Sequence, residues 1–390
     1  MFGKLTIDAI NDEVAHYGNI GDLDIIAIKK GTYDEFGRVG GIAKLAYGAI
    51  RVNNDAEVTT LLATPANKED VVLTVENGGV IGTLIATSEE ILEKLNDDGV
   101  NHSEVLILQT GESTIDDAIE RTLSSVAYVL HDDESRTYYE SFDYACNTAE
   151  TGETVVVLRD YQYDANITTS LINIAAGKNV TIDLNGKIIQ GTLDNFQSTS
   201  MITVSGTLTV LDNTGNYGAL RFGSVYVQAN PYTVCISPIK VNATGVVNVT
   251  SGKIISATEA YGSYGIDSAG TLNISGGVIE SGYAAIRTTK GTATITGGEI
   301  TGNFIGLFMQ AGTVAASNAA FTAKGGQFYL CTDMGNTNVT ISNCSLKVGS
   351  YHDNENTIIV EKNTNISNLS ITLNGESVPV TSTADNVYIK

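Results

Sequence analysis

Apolar residues recur at the same three positions of a repeated segment in the C-terminal half of the chain. Four such segments align from their first glycines, which are Gly245, Gly270, Gly291 and Gly312. The aligned apolar positions are Val247, Leu272, Ala293 and Val314, then Val249, Ile274, Ile295 and Ala316, then Ile254, Ile279, Ile300 and Phe321. The segments start 25, 21 and 21 residues apart, and a further 25 residues lead to Val339, Ile341 and Leu346. The pattern therefore predicts successive turns of chain that share one core.

Each segment has the features of one coil of a parallel β-solenoid. Its first two apolar positions lie two residues apart, so both side chains point to the same side of a strand. A Gly-Gly or Ser-Gly pair follows in three of the segments, and such corners need backbone angles that β-branched residues resist. Strands of neighbouring coils would pair ~4.8 Å apart. Less regular apolar pairs extend the repeat to about eight coils. These pairs are Val180/Ile182, Leu208/Val210 and Leu369/Ile371.

The N-terminal part has a different pattern. Residues 1–86 contain short apolar runs separated by glycine turns, which predicts a small β-rich domain. Examples are Leu23–Ile28, Ala49–Val52 and Val71–Val75. We expect this domain to end near residue 86, a helical neck or connector to occupy residues 87–150, and the solenoid to occupy residues 151–390.

Three helices are predicted in the neck. The first begins at the capping box Thr87–Glu90 and stops at Gly99. The second begins at Ser113–Thr114 and carries one apolar stripe about four turns long, formed by Ile115, Ile119, Leu123, Val126 and Leu130. Such a stripe suits packing on a core, the commoner arrangement, or association with copies of itself. The third covers Tyr138–Cys146.

Charge and composition exclude several classes of function. The chain has 44 acidic and 22 basic residues, a net charge of −22. Residues 1–150 hold 28 acids and 10 bases, whereas residues 151–390 hold 16 and 12. This balance argues against binding to nucleic acid or to anionic lipid. The start of the chain lacks a secretion signal and no apolar run reaches the ~18 residues of a membrane span, so we expect synthesis in a host cytoplasm without membrane insertion.

The usual signatures of cofactor and metal sites are missing from the sequence. Cys146, Cys235, Cys331 and Cys344 are scattered and have no histidine at metal-ligand spacing, so we expect free thiols. No dinucleotide-binding, P-loop, nucleophile-elbow, zinc-protease or EF-hand motif occurs. We expect neither a cofactor nor a metal.

One family resemblance adds to this interpretation. The run Thr151–Asp160, the segment Asn179–Lys187 and the corner sequences ISGG at Ile274–Gly277 and ITGG at Ile295–Gly298 resemble the right-handed parallel β-helix, or pectate-lyase-like, family. That family occurs in phage tail spikes, phage fibres and bacterial surface proteins. The resemblance covers about residues 137–390. It is specific for fold and weak for function, because the family includes lyases, hydrolases and adhesive rods.

The resemblance implies a mainly β protein whose C-terminal part is a right-handed parallel β-helix. It also implies a virion fibre or spike that is usually a homotrimer. Residues 1–110 would attach to a phage capsid or tail protein, and the β-helix would project toward the host surface or its glycans.

Candidate catalytic residues are the carboxylates of the middle coils: Glu259, Asp267, Glu280 and Glu299. Glycan cleavage needs two carboxylates about 5–9.5 Å apart, and neighbouring coils could place two acids at such a distance. The repeat puts Glu299 in register with Lys253 and Val278, and Glu280 in register with Ile255 and Thr301. These single acids are more typical of a solvated face than of a catalytic pair.

Candidate binding residues are Tyr261, Tyr264, Tyr283 and Arg287, which fall in or near the connections between ladder strands. Aromatic rings at these places could stack on sugars or bury against a neighbouring subunit, and we slightly favour the subunit contact.

Three hypotheses remain open from sequence alone. The first is a homo-oligomeric phage fibre or spike, with head attachment favoured over tail attachment because no catalytic groove is evident. The second is a tail-spike depolymerase that cleaves bacterial surface polysaccharide. The third is a bacterial surface adhesin, which the missing secretion signal disfavours.

Overall fold

Parallel β-strands dominate both parts of the chain. The computed structural model describes residues 2–96, 102–108, 114–164, 172–193, 199–215, 217–224, 235–256, 262–323, 326–330, 337–348, 358–361, 369–382 and 384–389. The chain divides into two compact units, Met1–Ser124 and Ser125–Lys390. This division falls inside the segment 87–150, and the domain boundaries at residues 86 and 150 stay predictions.

Within its described residues, the first unit contains two parallel sheets between which the chain alternates. Sheet A consists of Phe2–Ile7, Asn19–Ile25, Arg38–Leu45, Glu57–Ala63, Val80–Ala86 and His102–Ile107. Sheet B consists of Val14–His16, Tyr33–Glu35, Gly48–Val52 and Val71–Val75. A short 3₁₀ helix covers Lys68–Asp70, and the α-helices are Glu89–Asn96 and Ile115–Ser124. The short strands expected here are confirmed, and they stack in parallel.

The described residues of the second unit form three sheets, and successive strands pass from sheet C to sheet D to sheet E. Sheet C consists of Arg136–Tyr139, Ala127–Leu130, Thr154–Val157, Asn179–Asp183, Thr207–Leu211, Val246–Val249, Thr271–Ile274, Thr292–Ile295, Gly312–Ser317, Thr337–Ser342, Leu369–Leu373 and Glu376–Ser377. Sheet D consists of Tyr161–Asp164, Ile188–Leu193, Ala219–Ser224, Lys253–Ser256, Val278–Ser281, Glu299–Gly302, Ala320–Ala323 and Ser345–Val348. Sheet E consists of Ile172–Ile174, Thr199–Val204, Ile236–Val241, Tyr264–Ser268, Ala284–Thr288, Ile305–Met309, Gly326–Leu330, Ile358–Val360 and Val387–Ile389. The helix Phe142–Thr148 lies beside the first strand of sheet E.

The repeated apolar positions form buried columns in this unit. Leu272, Ile274 and Ile279 have exposed fractions of 0%, 1% and 0%. Leu272 pairs with Val247 on one side and with Ala293 on the other, as the repeat predicts. Ile279 likewise lies between Ile254 and Ile300. The prediction of stacked parallel coils is therefore confirmed at the level of a mainly β, solenoid-like fold.

The predicted four-turn helix over Ile115–Leu130 is wrong. The helix ends at Ser124, and Ala127–Leu130 is a strand with antiparallel neighbours on both sides, Arg136–Tyr139 and Thr154–Val157. Burial alternates along this strand, as in a sheet rather than a helix. The third helix also begins later than predicted, at Phe142, because Arg136–Tyr139 completes the β-hairpin.

Candidate functional site

A cluster of aromatic side chains lies on sheet E outside the main core. Asp267, Arg287, Phe308 and Tyr329 occupy one register column. Each follows a core residue directly, so its side chain points away from the core. A second set packs beside this column and is separate from the main core: Tyr264, Tyr283, Ala284, Phe304 and Ile305. We call these nine residues the aromatic face.

The rings of this face contact one another over four successive coils. The ring centroids of Tyr264 and Tyr283 lie 6.0 Å apart in an edge-on arrangement. Tyr283 lies 6.1 Å from Phe304 and 6.4 Å from Phe308. Phe308 and Tyr329 are 5.7 Å apart. These separations are typical of favourable aromatic pairs, so the rings form one continuous strip along the stack.

A buried ion pair lies at one end of the strip. Arg287 Nε donates to Asp267 Oδ1 at 2.8 Å, and Arg287 Nη2 donates to Asp267 Oδ2 at 2.7 Å. The side chains of Arg287 and Asp267 are 16% and 8% exposed. The guanidinium carbon of Arg287 lies 4.4 Å from the centre of the Tyr264 ring, a cation–π contact.

The carboxylate of Asp267 stabilises the charged form of Arg287. Burial acts to lower the pKa of Arg287, but the hydrogen bonds and charge of Asp267 raise it above its ordinary value. Burial raises the pKa of Tyr264 to about 12, against the opposing charge of Arg287. Because each charged group satisfies the other, the pair offers neither a proton donor nor a free carboxylate to a reacting substrate. The arrangement suits contact rather than acid–base chemistry.

The structure brings together four of the residues singled out from sequence: Tyr264, Tyr283, Arg287 and Asp267. Sequence reasoning had placed Asp267 among candidate catalytic acids, whereas its carboxylate is bonded to Arg287. Three rings of the strip were missed. Phe304 lies 21 residues after Tyr283, and Phe308 and Tyr329 lie 21 and 42 residues after Arg287, so the coil period itself was the signal that could have found them.

The remaining candidates lie elsewhere. Glu280 and Glu299 are on neighbouring strands of sheet D, where Glu280 pairs with Ile255 and Thr301, and Glu299 pairs with Val278 and Ala320. The two acids point outward and are displaced by two residues along the strands, which puts their Cα atoms about 8 Å apart. Glu259 and Tyr261 lie outside the described residues.

Glu299 also borders a groove of about 550 Å³ at the corner between sheets C and D. Gly276, Gly277 and Gly298 form much of the groove lining. The coils stack too closely for a side chain at Gly277, because a Cβ there would lie 2.8 Å from the carbonyl oxygen of Gly252. Asn318 and Asn343 continue this corner with positive φ angles of 52° and 48°, and Asn343 Nδ2 donates to Asn318 Oδ1 at 2.6 Å. The groove is therefore a corner where close coil stacking leaves little room for side chains.

Two histidines are held by carboxylates. His16 Nδ1 lies 2.9 Å from Oε1 of Glu35, a buried carboxylate that also accepts hydrogen bonds from the Tyr33 hydroxyl and the Gly37 backbone. His131 Nδ1 contacts Glu153, and His131 Nε2 lies 2.8 Å from Thr137 Oγ1. Each network joins side chains of neighbouring strands or turns, so both fit structural roles.

The described part of the chain offers neither a metal-binding cluster nor a membrane-spanning helix. Within it, no three His, Cys, Asp or Glu side chains gather closely enough to hold a metal ion. No helix there combines the length and apolar character needed to cross a membrane. Among the described residues, Cys146 and Cys344 are free thiols, and Cys331 lies outside the described residues.

No family model, no curated protein and no solved structure matches the chain.

Proposed function

We propose that this chain is a structural protein of a phage particle, a fibre or spike attached to the capsid or the tail, with head attachment favoured. In this proposal residues 151–390 form a right-handed parallel β-helix that projects toward the host surface or its glycans. Residues 1–110 hold the protein to a capsid or tail protein, and the fibre is a homotrimer found in the virion.

The observation that carries the proposal is the continuous parallel register of the second unit. In sheet C it runs strand to strand from Thr154–Val157 to Leu369–Leu373. Each coil rests on the next, so the stack presents long faces at a fixed repeat. Such a scaffold suits a projecting element that displays a surface, and the aromatic face supplies a surface to display.

The charge of the first unit is compatible with attachment to a basic partner surface. Most of its described basic side chains are already held in ion pairs: Lys4, Arg38, Lys44, Arg51, Lys68 and Lys94. The excess acids therefore set the sign of the surface potential, which favours a positively charged partner.

Labelled electron microscopy of phage particles tests the proposal. Gold-labelled antibodies against the full chain are applied to particles released from a host that carries the gene. We expect the label on the particle, on the capsid rather than the tail. Particles that carry no label and no peptides of this chain in mass spectrometry would contradict the proposal.

The diagonal placement of Glu280 and Glu299 favours one alternative, a polysaccharide depolymerase. Their Cα atoms are about 8 Å apart, and their outward side chains can bring the carboxyl groups to the separation of roughly 6.5–9.5 Å that an inverting glycosidase pair needs. The full chain is incubated with capsular polysaccharide, and a fibre without activity releases no oligosaccharide. Sustained release that Glu280→Gln or Glu299→Gln abolishes, and that Lys253→Gln leaves intact, would establish the enzyme instead.

A further inference from the structure

Sheets C and E present contrasting outer surfaces in the same coils. The outward side of sheet C carries short polar side chains that bond along the stack. Asn248 Nδ2 donates to Thr209 Oγ1 at 3.2 Å, and Asn273 Nδ2 donates to Asn248 Oδ1 at 2.9 Å. Such a surface is well hydrated. The outward side of sheet E instead carries the aromatic face, whose rings Tyr283, Phe304, Phe308 and Tyr329 remain partly exposed in the single chain.

The composition of the aromatic face matches the centre of a protein–protein interface. Interface centres are enriched in aromatic residues and arginine and depleted in unpaired charge. Here five rings surround Ala284 and Ile305, which are 0% and 6% exposed. The one close charge pair, Asp267 with Arg287, is already neutralised within the face.

The same pair argues against a sugar as the occupant. Saccharide recognition combines a stacking ring with polar groups that bond the hydroxyls of the ligand. The charged atoms described on this face are directed at each other, at 2.7 and 2.8 Å. A sugar would have to break a bidentate, largely buried pair to use them, and that is costly.

Charge and geometry favour a second copy of this chain. Two copies that each carry −22 repel one another, so they associate best where the facing surface adds little negative charge. Lys240, Asp267 and Arg287 share one register column of sheet E and together contribute +1. The strip also runs along the stacking direction over four strands, so it can contact another copy over that length.

We propose that copies of this chain associate side by side through the aromatic face of sheet E, with Phe308 at the centre of the contact. This inference rests on the proposed fibre function and names its self-association surface.

Sedimentation velocity of the full chain at micromolar concentration tests the inference. We expect the wild type to sediment as an oligomer. Phe308→Asp places a charge in the apolar contact and should raise the dissociation constant about thirtyfold or more, the change that corresponds to a loss of about 2 kcal/mol. Thr294→Asp is the matched control, because it adds the same charge in sheet C of the same coil and should leave the oligomer unchanged.

A wild-type monomer, or equal dissociation by Phe308→Asp and Thr294→Asp, would overturn the inference. Circular dichroism checks that each variant is folded. If Phe308→Asp does not fold, hydrogen exchange on the wild type decides: peptides spanning 283–309 should gain protection between nanomolar and micromolar concentration, and unchanged exchange would refute the contact.

The two proposals can fail separately. Particles without label contradict the fibre, whatever the sedimentation result. Label on particles together with a Phe308→Asp oligomer as stable as wild type contradicts only the association surface. A wild-type monomer that binds a saccharide array, with binding lost in Phe308→Asp, would make the aromatic face a sugar site and also overturn the inference.

Discussion

Asp212 shows how one buried side chain organises a corner of the second unit. Its Oδ1 accepts hydrogen bonds from the backbone of Gly186 at 2.8 Å and from the Thr214 hydroxyl at 2.7 Å, and its Oδ2 accepts from the backbone of Gly218 at 2.7 Å. Burial acts to raise the pKa of Asp212, but the hydrogen bonds from Thr214, Gly218 and Gly186 outweigh it and lower the pKa. The carboxylate therefore joins two coils and stays ionised at neutral pH.

Asp212→Asn should destabilise the second unit by about 2 kcal/mol at pH 7, because the amide nitrogen cannot accept the backbone hydrogen bonds. Because the pKa of Asp212 is lower in the folded state, its ionised carboxylate stabilises the protein above the ordinary aspartate pKa of about 3.9. This stabilisation is lost progressively as the pH falls below that value. Urea unfolding from pH 7 to pH 3 should show the difference between wild type and variant shrinking in acid. Asp385→Asn, at an exposed aspartate, should change little at either pH, and a pH-independent effect of Asp212→Asn would contradict the assignment.

Thr288 illustrates a residue that the repeat does not explain. Its hydroxyl is buried and has no hydrogen-bond partner among the described residues, and the same holds for the hydroxyl of Ser268 in the preceding coil. The aliphatic side chain of Met309 follows in the same column. Thr288→Val keeps the shape and removes an unsatisfied polar group, so we expect stabilisation by about 1 kcal/mol and a Tm increase of about 2–4 °C. The outward control Thr294→Val should shift Tm little, and a lower Tm for Thr288→Val would show that its hydroxyl has a partner.

Sequence could anticipate individual residues only where a repeat position fixes the direction of the side chain. Leu272 and Ile279 were assigned to the core for that reason, and both are buried. The Arg287–Asp267 bond depends on two side chains meeting on neighbouring coils, and the period alone does not reveal such a pair. Asp267 was therefore grouped with catalytic acids, although its partner lies 20 residues later.

At the scale of elements, the helix Phe142–Thr148 covers the start of the second unit's core. Phe142 and Ala145 are fully buried and share that core with Ile172 and Ile174. The Ser141 hydroxyl caps the helix by accepting from the Tyr144 backbone at 3.3 Å. The first coil would otherwise leave apolar side chains and strand edges uncovered, a known route to aggregation.

Phe142→Ala should therefore destabilise the second unit by about 3–5 kcal/mol, the usual cost of emptying a buried aromatic site. We also expect aggregation to begin at a lower temperature, because the end of the stack becomes exposed. Thermal unfolding combined with light scattering measures both effects. Tyr144→Ala on the same helix is the control, since Tyr144 is 61% exposed, and equal effects of the two variants would contradict a covering role for Phe142.

The elements of the first unit were harder to predict for a physical reason. Leu5, Leu23, Ala43, Leu61 and Leu84 form one parallel column of sheet A. Their spacings of 18, 20, 18 and 23 residues vary, and register shifts interrupt the pairing near Ile20 and Val39. No constant corner motif marks these coils, so the strands were visible in the sequence while their stacking was not.

The misplaced helix has a different cause. The stripe at Ile115–Leu130 satisfies helical spacing, yet Ala127–Leu130 is a strand along which burial alternates. Pairing on both sides of Ala127–Leu130 decides in favour of the sheet, and such pairing depends on segments far along the chain. Association of copies through a continuous four-turn stripe, one of its two interpretations, therefore lacks the helix that it needs.

At the scale of the whole molecule, each unit has a large apolar core of its own among the described residues. One contains Leu61 and the other contains Ile274, and the two clusters share no residue. Each unit therefore has its own source of hydrophobic stabilisation. Chains built in this way commonly unfold in more than one step.

Calorimetry of two single variants tests this independence. Leu61→Ala and Ile274→Ala each remove buried methyl groups at a site with an exposed fraction of 1% or less, and each should cost about 2–5 kcal/mol. We expect two thermal transitions, with Leu61→Ala lowering the temperature of one and Ile274→Ala lowering that of the other. Val72 in the first unit is 50% exposed, so Val72→Ala should change the temperature of neither transition by more than a small amount. A single transition that both core variants shift equally would mean that the units stabilise each other, and that the acidic first unit and the stacked second unit act as one cooperative body.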